Sequence, residues 1–193
     1  MRKLWAVALG AMVSSHAIAD DEWQFYLGAD QVDAVFSTST PQTVFTGGNT
    51  ANFNETDRSD TKFYRLRLGT QLSDEIALEL HYGLDDQEAD AAENTGSLDT
   101  YYGIYIVPQG EIFDLIDVEL PIGFSTVEYI GPNGGIADVD GIAYGINLGV
   151  SMSRFFEDDE RGWDERLVGG GMVYQQDTDS RFYGYNLGLR VSF

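Results

Sequence analysis

Alternation with a period of two is the feature that most restricts what this chain can become. Ile76, Leu78, Leu80, Tyr82 and Leu84 alternate with Ala77, Glu79, His81 and Gly83. At the chain end Tyr183, Tyr185, Leu187, Leu189, Val191 and Phe193 alternate with Gly184, Asn186, Gly188, Arg190 and Ser192. A period of two sends successive side chains to opposite sides of a strand, so each segment has one oily face. The pattern recurs at residues 23–28, 63–72, 101–106, 118–125 and 142–152. It is poorest at residues 166–176, where Gly169, Gly170 and Gly171 erase it and leave Val168, Met172 and Tyr174 to mark the apolar face. Eight strands of roughly 10 residues are expected, and no helical i, i+3, i+4 stripe competes with them.

The second face decides the class. In a soluble sandwich it meets water and is polar. Here it is dominated by Gly, Ala, Ser and Asn with isolated charges, as though it too were enclosed. A closed barrel in lipid accounts for both faces: apolar outward, small or polar inward, aromatics where bilayer meets water. Tyr and Phe number eleven each and are plentiful enough for such girdles. Closure also pairs every backbone group that lipid cannot hydrogen-bond. The expected fold is all-β, an eight-stranded antiparallel up-and-down transmembrane β-barrel.

Residues 1–19, MRKLWAVALGAMVSSHAIA, carry Arg2 and Lys3, then an apolar run, then Ala17-Ile18-Ala19 before Asp20. That is the layout of a cleaved secretory signal, and the run falls short of the roughly 20 apolar residues of a spanning helix. Residues 20–193 are left as one outer-membrane barrel domain, with no linker to divide it. The full chain has 11 Lys+Arg against 32 Asp+Glu, a formal charge of −21. Nucleic acid, whose phosphates demand positive charge, is excluded as a partner. With no cysteine, disulfides and thiol chemistry are excluded together. Gly47-Gly48 and the 169–171 glycines lack the helix and lysine of a phosphate loop. No cofactor and no metal site is expected.

Barrels of this kind place short turns on the periplasmic side and long loops outside. The first connection, about residues 35–60, reads as long and polar, the second, Ser73 to Glu75, as tight, and the third, 85–97, as longer and acidic. The fourth, 108–117, and sixth, 154–165, exceed a minimal turn, whereas the seventh, 177–180, is short for an outer loop. A three-residue loop at Ser73-Asp74-Glu75 would pair Leu72 with Ile76, Gly69 with Glu79 and Arg67 with His81. Glu79 then lies diagonal to Arg67, within reach of long side chains.

With strands placed, "WQFYLGAD", "YYGIYIVPQ", "DGIAYGINLGV" and "YGYNLGLRVSF" resemble the eight-stranded barrel family typified by OmpA-like, or porin-like, outer-membrane proteins. The resemblance covers most of the chain after the signal and is carried by aromatics and glycines. It implies a Gram-negative envelope and outer-membrane lipid and lipopolysaccharide as surroundings. It also implies that the final strand, with Tyr183, Tyr185, Leu187, Leu189, Val191 and Phe193 on one face, is an assembly signal read by the barrel-assembly machinery. The peptidoglycan-binding domain of longer relatives is not expected here.

Arg65, Arg67, Glu79, His81, Glu119 and Arg190 fall on the face assigned to the lumen. Unpaired charge in a confined interior is costly, so these groups are expected to form an ion-pair and hydrogen-bond network. Three readings follow: groups that fill the lumen of a structural or surface-interaction protein, a small-solute or ion channel, or an outer-membrane lipid-modifying enzyme. The first is preferred, because eight strands enclose an interior just wide enough for side chains. Catalysis is not expected, since His81 is the only histidine after the signal and no serine is evident beside it on that face. The acidic segments 83–94, 131–141 and 155–165 read as solvated loops, with loose cation bridging to lipopolysaccharide phosphates as the alternative. The protein is expected to be a monomer, with any extracellular ligand met by its loops.

Overall fold

The computed structural model describes residues 24–46, 49–85, 97–113, 115–130, 136–152 and 163–193. The expected signal and most of the acidic third and sixth connections lie outside these residues. The strands are β1 (Phe25–Thr46), β2 (Asn49–Ser73), β3 (Ile76–Asp85), β4 (Ser97–Ile112), β5 (Ile116–Glu119), β6 (Ile122–Ile130), β7 (Ile136–Ser151), β8 (Asp164–Gln176) and β9 (Ser180–Ser192). Each pairs antiparallel with its neighbours, and β9 returns to β1 from Tyr26↔Ser192 to Thr38↔Ser180, which closes the ring.

β5 and β6 are one stave. Both lie between β4 and β7, and the break falls at Leu120-Pro121, where proline has no N–H to give the ladder. The Leu120 amide still donates to Pro108 O at 2.9 Å, and Pro121 O accepts from the Gly145 amide at 2.9 Å. The nine strand segments therefore make eight staves.

Alternation carries through the wall. Leu27, Leu66, Leu80, Ile104, Phe124, Ile146, Leu167 and Leu189 are exposed on the outside, while Tyr26, Phe63, Arg65, Glu79, Tyr105 and Asn147 are buried inside. A surface so rich in large apolar side chains is the reverse of a soluble protein's and has the pattern of a lipid-facing belt.

Several details depart from the sequence-based expectation. The first connection is largely strand: β1 and β2 pair continuously from Phe25↔Thr70 out to Thr46↔Asn49. Polar, Thr- and Asn-rich composition concealed a hairpin that runs beyond the belt. The second connection is a two-residue turn, Asp74-Glu75, with Ser73 opposite Ile76. An irregularity between Gln71 and Ser73 then restores Gly69↔Glu79 and Arg67↔His81. The fourth connection shrinks to residues 113–115, because β4 and β5 continue to Ile112↔Ile116. Phe113 there has φ 56°, an uncommon backbone for a bulky residue. The seventh is short, with the Asp177 amide donating to Ser180 O at 3.0 Å.

The apolar face of β8 is opposite to the one expected. Val168, Met172 and Tyr174 are buried in the lumen, and Leu167 is exposed outside. Register requires this, since Leu167 sits between Val150 and Leu189, both on the outer face. On that face Gly169 and Gly171 lie beside Leu187 and Tyr185 of β9, which fill the space the glycines leave.

One glycine positions the interior directly. Gly69 faces Tyr26 across β1–β2, and a Cβ there would lie 2.1 Å from the Tyr26 ring. Gly69→Ala should therefore displace Tyr26 and cost about 1–3 kcal/mol, as overpacking does. Urea unfolding in detergent micelles measures it, and an unchanged midpoint would refute the close approach.

Candidate functional site

The lumen is in two layers. The layer nearer the chain termini is charged, and β1, β2, β3, β5 and β9 each contribute. Asp30, Arg65, Arg67, Glu79, His81, Glu119 and Arg190 are all buried. Alternation aims each inward: Arg65 and Arg67, or Glu79 and His81, share a face because they are two apart on one strand.

The contacts cross the barrel. Arg65 Nε donates to Asp30 Oδ2 at 2.9 Å, and Arg65 Nη2 lies 2.8 Å from the same oxygen. Arg67 Nε is 3.0 Å from Asp30 Oδ2, so one carboxylate joins two guanidiniums. Arg67 Nη1 reaches Glu119 Oε2 at 3.1 Å and Glu79 Oε1 at 3.5 Å. Glu119 also accepts from Arg190 Nη1. The path from Arg65 through Asp30, Arg67 and Glu119 to Arg190 links β2 and β9 to the far wall at β5. Three arginines meet three carboxylates, so the layer is balanced if His81 is neutral.

A second path runs beside it. Tyr26 OH donates to Glu79 Oε1 at 2.8 Å, and His81 Nε2 lies 2.6 Å from Glu79 Oε2. A carboxylate only accepts, so Nε2 carries the proton, and in neutral imidazole Nδ1 is then the acceptor. Tyr101 OH stands 3.3 Å from that Nδ1 and 2.6 Å from Tyr105 OH. Tyr105 stacks on the imidazole at 4.1 Å.

The layer nearer the loop-bearing rim is aromatic. Phe63 packs against Tyr101, Tyr174 and Phe182 at centroid distances of 5.8, 5.6 and 5.7 Å, and Phe36 stacks on Tyr129 at 4.5 Å. The layers are joined where Arg65 lies 5.4 Å over the Tyr174 ring, and within the charged layer Arg190 lies 4.9 Å over the Tyr26 ring. At the terminal rim Arg166 pairs with Asp117 at 2.6 Å.

All six charges predicted for the lumen are thus placed together. Sequence reasoning missed Asp30, the anion shared by Arg65 and Arg67. It continues the inward parity of Tyr26 and Gly28, so extending the first strand by two residues would have found it. Tyr26, Tyr101 and Tyr105 also have inward parity, but alternation alone assigns them no role.

An acid–histidine–hydroxyl series such as Glu79–His81–Tyr101 has the connectivity of a catalytic triad. Here the hydroxyl is a tyrosine's and all three residues are buried. Ser125, two strands from His81 along one row, donates its hydroxyl to Tyr174 O instead. Among the described residues, no group of three His, Asp or Glu is placed to hold a metal ion. Asp140, from the acidic 131–141 segment, accepts from Thr126 Oγ1 at 2.5 Å.

Comparison with solved structures settles the architecture. The crystal structure of Neisserial surface protein A (NspA) matches with TM-score 0.54 and 15% identity, covering 90% of this chain and 100% of that one. The fold is that of an eight-stranded outer-membrane β-barrel. Ail, the attachment invasion locus protein of Yersinia pestis, matches with TM-score 0.49 and 11% identity over 90% of this chain and 100% of that one. The N-terminal β-barrel domain of Pseudomonas aeruginosa OprF gives 0.45 and 10% over 86% and 97%. No family model and no curated protein matches the sequence.

The charged layer of this barrel can be tested by removing its hub. Arg67→Met leaves Glu79 and Glu119 short of a buried partner and should cost about 3–5 kcal/mol. The triple change Arg67→Met, Glu79→Gln, Glu119→Gln should recover part of that loss, and unfolding midpoints of the two variants measure the difference.

Proposed function

We propose that this chain is an integral outer-membrane protein with a closed lumen, acting in envelope structure or in surface interaction through its loop-bearing rim. It is exported by the signal at residues 1–19, inserted by the barrel-assembly machinery, and works as a monomer without enzymatic activity. The observation that carries the reading is the pairing of an apolar outer wall with an interior filled by its own side chains. Arg65, Arg67, Arg190, Asp30, Glu79 and Glu119 consume one another's charge, and Phe63, Tyr101, Tyr174 and Phe182 form an apolar plug. An ion path would want an excess of one sign along a wetted wall.

Purified protein in planar bilayers is expected to give no reproducible conductance steps. Steps that are altered by Arg67→Ala or Glu79→Ala would replace this reading with the small-solute or ion-channel one.

The chain end supports the assembly proposal. Tyr185, Leu187 and Leu189 are exposed on the outer face of β9, Phe193 just past its end is partly exposed, and the Phe193 amide donates to Phe25 O at 3.0 Å. That backbone pair survives a side-chain change. Phe193→Ala should therefore lower the folded, membrane-inserted fraction in cells severalfold, a larger effect than its shift of the in vitro unfolding midpoint. Equal insertion of both forms would count against the signal.

A further inference from the structure

We propose that the outer face of β2, β1 and β9 binds a phosphate group of a lipid headgroup in the leaflet at the loop-bearing rim, through Arg58 and Arg181 on either side of Ser37. The inference deepens the membrane reading above and rests on it. Register sets Arg58, Ser37 and Arg181 in one row across three adjacent strands. With strands about 4.8 Å apart, the two arginines stand on the order of 10 Å apart with the Ser37 hydroxyl between them. Both are exposed and on the same side of the wall as the apolar belt.

Their surroundings point to a lipid interface. Toward the belt, the next row but one holds Lys62, Asp33 and Tyr185, and beyond it come Leu66 and Leu187, which face the lipid side. The cations therefore sit where the apolar wall ends, at headgroup level. Arg181 lies 5.2 Å over the Tyr183 ring, which holds its guanidinium against the wall.

Charge is distributed unevenly over the chain. Its formal charge is −21, yet Arg58, Lys62 and Arg181 are the only outward-directed Lys or Arg among the described residues, and they share this one face. Asp33 and Asp60 are also on it. Asp33 is 3.5 Å from Lys62, whereas no carboxylate among the described residues pairs with Arg58 or Arg181. Two guanidinium forks with no carboxylate partner among the described residues, flanking a hydroxyl, are suited to phosphate geometry.

The test uses the full mature protein in bilayer discs containing either bis-phosphorylated lipid A or its dephosphorylated form, with lipid retention read by native mass spectrometry. Wild type should retain the phosphorylated form about tenfold better, the equivalent of one charge-assisted hydrogen bond. Arg58→Gln/Arg181→Gln should lose that preference, and Arg58→Lys/Arg181→Lys should keep part of it. Retention that ignores phosphate, or a glutamine variant that still prefers it, overturns the site. Heat-shifted migration on gels checks folding separately, so a folded barrel in dephosphorylated lipid with no preference sinks this proposal while leaving the membrane reading standing.

Discussion

Pairing of the first strand with the last is the constraint on which the rest depends. In lipid, each unpaired backbone group costs several kcal/mol, so an open sheet edge is untenable. The β1–β9 ladder removes both edges at once. Closing eight staves then limits the interior to what side chains can fill, and every inward residue must find its partner inside that volume. The balance of Arg65, Arg67 and Arg190 against Asp30, Glu79 and Glu119 follows from this confinement.

The two interior layers meet that demand differently. Ion pairs in a dry interior recover the desolvation of their charges only when geometry is good, so the charged layer specifies which walls face each other more than it adds net stability. Arg67 illustrates this: its guanidinium touches residues of β1, β3 and β5, which fixes three walls relative to β2. The aromatic layer has no such directional requirement. Its rings, drawn from β1, β2, β4, β6, β8 and β9, exclude water toward the loop-bearing rim.

Parity made most of this legible before any coordinates. Where a strand alternates cleanly, as β3 does from Ile76 to Leu84, both faces and the placing of Glu79 and His81 could be read directly. The turn at Asp74-Glu75 was misread by one residue, yet the pairing beyond it held because an irregularity after Gln71 absorbs the difference. Parity gave the wrong face for β8, because three glycines leave no signal and the remaining Val168, Met172 and Tyr174 are apolar residues of the core. Strand ends failed for another reason. Beyond the belt neither face has to be apolar, so the outer half of the β1–β2 hairpin has a loop's composition while keeping a strand's backbone.

The last strand is where packing and the proposed assembly role overlap. Leu187 and Tyr185 lie against Gly169 and Gly171 of β8, so they complete the wall in addition to presenting an apolar row outward. A substitution at either position would disturb side-chain packing across β8–β9 together with any recognition of the row. Phe193 differs: it follows the end of β9, its backbone meets Phe25, and its side chain is partly exposed at the terminal rim. Its backbone pairing with Phe25 joins the two chain ends whatever its side chain, whereas Tyr185 and Leu187 complete the wall through their side chains.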